Sequence, residues 1–387
     1  MSTLQLRLSE GFARHFGGVP DFVVRAPARV NLIGEHTDYN DGFALPLAIG
    51  AETRVALRRR GDAEVRVVAL NFEEQEDIFL PVPELQKAAK GGWRDYIRGT
   101  VAILARAGVD IGGLEMAVAG DVPMGTGLSS SASLEVAVAT AVLAATGRRE
   151  DAKQVALWAQ AAENDFVGMR CGNLDQLASA ATVEGAALLI DCRSLDLTPV
   201  EMPSDAAVMI VQSGVVRGLV EGHYNERRRQ CEEAAAILRV PALRDADLGM
   251  LEAVASNVDP LVVRRARHVI TENDRTVAAA KQLSLGNLNG VGRLMRESHA
   301  SQRDDFEITV PHTDRLAEIM TKAIGDNGGA RQTGGGFGGA VIGLMSIDRV
   351  EAVRSQVLSD YRTPSGELPD VRIERACCGA SVEASNL

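Results

Sequence analysis

The sequence predicts an α+β protein built as two domains. Short apolar runs of strand character and long stretches of helical periodicity are mixed along it, without a regular strand–helix–strand alternation. Its 387 residues suit two domains of ordinary size or one large one. Pro199 to Ser204 reads as a junction and divides the chain into residues 1–198 and 199–387.

The elements follow in order. Phe22 to Val24 and Val30 to Ile33 are expected as short strands flanking Pro27, and Leu114 to Ala119 as a strand leading into a glycine loop. Ser130 to Thr146 is expected as a helix stopped by Gly147, Ala152 to Phe166 as a second helix, and Ala186 to Asp191 as a strand. Beyond the junction, Ala207 to Gln212 is strand-like. Helical patterns then cover Asn225 to Leu238, Leu261 to Leu283 and Asp314 to Ile324. A second glycine cluster, Gly334 to Gly339 with Phe337 inside it, feeds an apolar strand from Ala340 to Met345.

Composition excludes several function classes. Apolar residues make up 46% and aromatic ones only 4%, so the core must be mostly Ala, Val, Leu and Ile. A net charge of −11 argues against nucleic acid or an anionic membrane as the main partner. Cys171, Cys192, Cys231, Cys377 and Cys378 are irregularly spaced with no C-x-x-C, which argues against a disulfide scaffold or zinc site and fits a reducing cytoplasm. Met1 to Gly18 carries Arg7, Glu10 and Arg14 and has no apolar signal-peptide core. The longest apolar stretch, Val136 to Ala145, is too short to span a bilayer.

Two stretches carry the chemistry. Ala28 to Tyr39 gathers Arg29, Glu35, His36 and Asp38 around Gly34 at the end of an apolar run, a set of donors and acceptors suited to a polyhydroxylated ligand. The bland alternative is a surface turn, since Asp41-Gly42 is a turn signal. Pro123-Met124-Gly125-Thr126-Gly127-Leu128-Ser129-Ser130-Ser131-Ala132 follows a strand and opens a helix. Its glycines let the backbone approach an anion, and the free N–H groups of the helix start point at it. The alternative there is a tight turn with a serine cap. The P-loop pattern and the protein-kinase motifs are absent, and Ser130 stands where a dinucleotide fingerprint needs glycine. A polyol site beside a phosphate site suggests a sugar kinase.

Further polar positions are Glu163 and Cys171-Gly172-Asn173-Leu174-Asp175-Gln176, where a helix cap is the simpler reading of Asp175. Trp93 is either a core aromatic or a base-stacking one. Arg58 to Arg60 and Arg227 to Arg229 read as solvated faces or ion-paired helix turns.

Over nearly all its length the chain resembles bacterial galactokinases of the GHMP small-molecule kinase superfamily. Arg29 to Tyr39 resembles the sugar-binding signature, Pro123 to Ala132 the nucleotide loop, and Gly329 to Gly339 the third motif. Cys171 to Gln176, Tyr224 to Arg228 and Ser298 to Pro311 are also similar to galactokinase segments. The departures are Ala28 for a usual Gly, Asn173-Leu174 for Ile-Met and Ala340 for a common Cys; none removes a charge, and Asn173 is the one placed to alter sugar preference. The resemblance implies an N-terminal domain like ribosomal protein S5 domain 2 and a ferredoxin-like C-terminal domain, with the site between them. It implies ATP-dependent phosphorylation of α-D-galactose to galactose 1-phosphate, a step of galactose metabolism, with ATP and Mg2+ required. Asp175 would be the catalytic carboxylate and Arg29 would sit between it and the phosphate. Glu35, His36, Asp38, Gly172 and Tyr224 would hold the sugar. Trp93, Pro123, Gly125, Thr126, Gly127, Leu128, Ser129, Ser130 and Ser131 would hold the nucleotide, and Ser131 and Glu163 the magnesium. The alternatives are a sister 1-kinase acting on N-acetylgalactosamine, L-arabinose or galacturonate, and a non-catalytic galactose and ATP sensor. The partners expected are small molecules, with no nucleic acid, membrane or obligatory protein partner.

Overall fold

The computed structural model describes residues 2–123, 125, 127–215 and 220–383. Among these, helices and strands are mixed as the α+β expectation required. The first sheet has six strands in the order Ser381–Glu383, Phe22–Asn31, Pro46–Arg60, Gly113–Gly120, Val65–Ala69 and Gln75–Phe79. Only the pairing of Val65–Ala69 with Gly113–Gly120 is parallel; the others are antiparallel. The expected strands on either side of Pro27 are one strand. The ladder registers Pro27 against Glu52 and then shifts before Arg29, an irregularity that accommodates a residue with no N–H to donate.

Helix Ser130–Thr146 lies between this sheet and helices Trp93–Arg106, Ala152–Ala161 and Leu174–Ala181. Being packed on several sides, it is rich in alanine and valine with no single apolar stripe, and those small side chains allow close approach. Gly147, with φ 70°, closes it as expected. The second expected helix is α-helical only to Ala161; residues Ala162–Val167 form one π-turn, which carries Glu163. Such π-turns recur at functional sites.

The second sheet orders Gly328–Thr333, Ala340–Ser346, Ala206–Gln212 and Val371–Glu374, all antiparallel. Its alternating pattern separates two cores. Val208 and Ile210 pack with Leu283, Val291 and Met295 and with Leu32 and Ile33 of the first domain. Met209 and Val211 pack with Leu316, Met320 and Val353. A small third sheet pairs Phe43–Ala44, Ala186–Asp191 and Asp196–Glu201. The boundary expected between residues 198 and 199 therefore falls inside a strand, and Ser381–Glu383 returns to the N-terminal sheet. Among the described residues no helix is long and apolar enough to cross a membrane.

Candidate active site

A cavity of about 580 Å³ opens where the end of strand Phe22–Asn31, the start of helix Ser130–Thr146 and the start of helix Leu174–Ala181 converge. At its centre lies Asp175, in the first turn of its helix. Its carboxylate caps nothing. Oδ1 accepts from Arg29 Nε at 2.7 Å and Nη2 at 2.6 Å, and Oδ2 accepts from the Ser129 hydroxyl. The cap reading of Asp175 is thus overturned. Arg29 also donates from Nη1 to the Gly127 carbonyl at 2.7 Å, so one planar guanidinium ties the carboxylate to the glycine loop. The Arg29 side chain is 7% exposed and that of Asp175 29%, which leaves the carboxylate reachable from the cavity.

Ser129 stands at the helix start with φ 61°, a left-handed conformation that a non-glycine residue seldom adopts. It makes no cap; the turn instead aims its hydroxyl at Asp175. The first N–H groups of helix Ser130–Thr146 have no acceptor within the helix, and Gly125, Gly127, Ser129, Ser130 and Ser131 line the cavity there. Thr126 lies outside the described residues. Leu128 is a core side chain that meets the site only through its carbonyl, which accepts from Arg29 N at 3.2 Å; neither it nor Pro123 lines the cavity.

One end of the cavity is polar. Glu35, His36, Asp38, Gly172, Tyr224 and Gly335 meet there. Glu35 Oε1 accepts from Gly334 N at 2.7 Å and from Thr333 Oγ1 at 3.3 Å, with the buried Arg331 guanidinium at 3.4 Å. The second glycine cluster thus packs its backbone beside the site. His36 shares a hydrogen bond of 2.7 Å with Tyr39 Oη and sits 5.0 Å, ring to ring, from Tyr224. Gly172 has no room for a side chain, because a Cβ there would overlap the Asp38 carboxylate. Burial, then the nearby Asp175 charge, push Asp38 up to about 6.

Glu163 is buried between this centre and the helix start. It accepts from Ser131, from the Cys171 thiol at 3.4 Å and from Gln176 Nε2 at 2.6 Å. Burial, then Asp175, raise it to about 7. Behind it Glu135, fully buried, is pushed well above the usual carboxylate range by burial and by Glu163. Among the described residues no group of three or more His, Cys, Asp or Glu could hold a metal unaided.

The opposite end is apolar. Trp93 packs near-parallel to Phe72 at 6.2 Å, with Arg94 over its ring at 4.5 Å. Phe72, Asn71 and Tyr96 line this end and escaped the sequence reading. Asn71 could have been suspected only as a polar residue closing the Val65–Ala69 strand; its amide pairs reciprocally with Gly120, at 2.8 and 2.9 Å. Asn173 does not line the cavity, and its amide donates to the Cys192 carbonyl at 3.3 Å.

The galactokinase galactose-binding signature matches residues 10–59, the GHMP kinases N-terminal domain residues 95–182 and the GHMP kinases C-terminal domain residues 278–363. The chain is 33% identical to Lactococcus lactis galactokinase, a structure complexed with galactose; the match covers 98% of this chain and 100% of that one, with a TM-score of 0.91. It shares the fold of Methanococcus jannaschii mevalonate kinase (16% identity, 93% and 99% covered, TM-score 0.65). It also shares that of Cytophaga hutchinsonii homoserine kinase (17% identity, 95% and 99% covered, TM-score 0.62). A sugar-type polar pocket, a glycine and serine loop at a helix start, and whole-length similarity at that identity place this chain in the galactokinase family of the GHMP kinases.

Proposed function

We propose that the chain transfers the γ-phosphate of ATP to the C1 hydroxyl of α-D-galactose, giving galactose 1-phosphate and ADP. The observation that carries this is Arg29, which bridges Asp175 at the polar end to the Gly127 carbonyl of the anion loop. Glu35, His36, Asp38, Gly172 and Tyr224 form the sugar end; Gly125, Gly127, Ser129, Ser130 and Ser131 with Trp93 form the nucleotide end. Asp175 orients the C1 hydroxyl and takes its proton late, as the new O–P bond forms, because a loose phosphoryl transition state asks little of the nucleophile early. Arg29 offsets charge on the transferring group, and the free N–H groups at the Ser130 helix start face the phosphate oxygens. The cytoplasm is where we place this reaction, since the five cysteines are free thiols.

The donor set fits Mg2+. Glu163 and Ser131 offer hard oxygens side by side, and Glu163 is a buried carboxylate beside the helix start that lines the cavity. When bound, the metal would neutralise phosphate charge. Glu163→Gln is expected to raise the magnesium concentration needed for half-maximal activity, read by titration. An unchanged titration would remove Glu163 from the metal site.

Sugar choice tests the assignment itself. A wrong epimer leaves a buried polar group unpaired at ~1–3 kcal/mol, so kcat/KM for galactose should exceed that for glucose by ~10- to 100-fold. ADP release measured with galactose, N-acetylgalactosamine, L-arabinose, galacturonate and glucose decides it. Equal turnover of glucose and galactose would sink the proposal.

A further inference from the structure

The loop that presents Glu35, His36 and Asp38 is held from behind by one helix of the C-terminal half. Helix Pro260–Ser284 places His268, Glu272 and Asn273 on one face, at i, i+4 and i+5. All three are buried, and all three spend polar atoms on the backbone between Gly34 and Phe43. Glu272 Oε1 accepts from Gly34 N at 3.0 Å. His268 Nε2 lies 3.2 Å from the Glu35 carbonyl, which can only accept, so that nitrogen carries the proton and donates. Asn273 Oδ1 accepts from Phe43 N at 2.9 Å, which fastens the far end.

The fit is close on both sides. Gly34 has φ +97°, and a Cβ there would stand 2.8 Å from Ala44 Cα and 3.0 Å from Thr276 Oγ1 of the same helix. A Cβ at Gly42 would overlap Asn273 Oδ1. The Phe306 ring, which lies outside this helix, sits 4.4 Å from His268 and 4.8 Å from His36, and so links the helix to the His36 imidazole. Glu272 is fixed in turn by Ser298 Oγ at 2.6 Å and Arg275 Nε at 2.8 Å. A largely buried ion pair adds little stability by itself, because well-packed apolar residues serve as well or better. What these groups supply and apolar ones cannot is a fixed direction for each loop peptide.

We propose that His268, Glu272 and Asn273 are positioning residues that set the affinity for galactose, by holding Gly34 to Phe43 in its sugar-binding shape; this rests on the sugar-kinase reading above. The test compares Asn273→Ala, Glu272→Ala and Glu272→Gln with the wild-type enzyme. Galactose affinity is read by calorimetry without ATP, and both KM values and kcat by steady-state kinetics. Each alanine variant should weaken galactose binding about tenfold, the cost of one buried hydrogen bond. The KM for ATP should stay within about twofold and kcat at saturating galactose within about threefold, since neither the nucleotide end nor Asp175 is touched. Glu272→Gln keeps an oxygen for Gly34 N and should restore galactose binding to within about threefold of wild type. If Glu272→Ala does not fold, Asn273→Ala decides alone. Galactose affinity unchanged in Asn273→Ala, or equal losses toward galactose and ATP, would overturn the positioning role. A wild-type chain that binds no galactose would overturn the sugar reading as well, and so separates the two failures.

Discussion

Asp175→Asn is expected to bind galactose within a few-fold of wild type while kcat falls by ~10²–10⁴, the usual span for one acid–base group. Asparagine keeps the shape: its one oxygen can still accept from Arg29 and its NH2 can donate to the Ser129 hydroxyl, but it cannot take up a proton. Binding and chemistry should therefore separate. Arg29→Lys keeps the charge and loses the fork that reaches Asp175 and Gly127 together, so it should also lower kcat. If the two act as a unit, the double variant loses much less than the product of the single losses. Single-turnover measurement on all three variants is the check. Near-normal kcat in Asp175→Asn would leave that carboxylate only an anchor for Arg29. Fully multiplicative losses would mean that the two residues act independently.

Gly172→Ala should be nearly as damaging, through the sugar rather than the chemistry. Its Cβ has nowhere to go except into the Asp38 carboxylate, which is half-buried and already raised by burial and by Asp175. Either Asp38 swings away or the Cys171 to Asp175 segment backs off. One oriented acceptor is then lost at ~2–3 kcal/mol, or ~30- to 150-fold in kcat/KM for galactose. The KM for ATP should move little. Galactose kinetics alongside a melting curve separate this from unfolding, and unchanged galactose kinetics would take Asp38 out of the sugar site.

The legible parts of this protein were those whose meaning is local. Helix Ser130–Thr146 was readable to the residue, because an alanine- and valine-rich run between serines and Gly147 has few other outcomes. The sugar and nucleotide stretches were readable because each packs its chemistry into about ten consecutive residues. Strand Pro46–Arg60 was not seen. Its Arg58 and Arg60 read as a solvated face or an ion-paired helix turn; they are ion-paired, but on a strand and to Glu115 of the neighbouring strand, a partner that only tertiary structure supplies. The cap reading of Asp175 failed for the same reason, since its true partner lies 146 residues away. Phe72 and Tyr96 belong to no motif and reach the cavity only through packing. Asn173, singled out for its closeness to Asp175, faces the other way because residues two apart at a helix start point to opposite sides.

The strand Ser381–Glu383 bears on how the molecule is made. It pairs Val23, Val24 and Arg25 with Glu383, Val382 and Ser381, and so covers one rim of a sheet whose other strands lie within the first 120 residues. As the chain leaves the ribosome, that rim, with its unpaired N–H and C=O groups, stays open until more than 260 further residues have been added. A bare rim is a template for other chains. The nascent protein thus spends most of its synthesis with that rim unpaired.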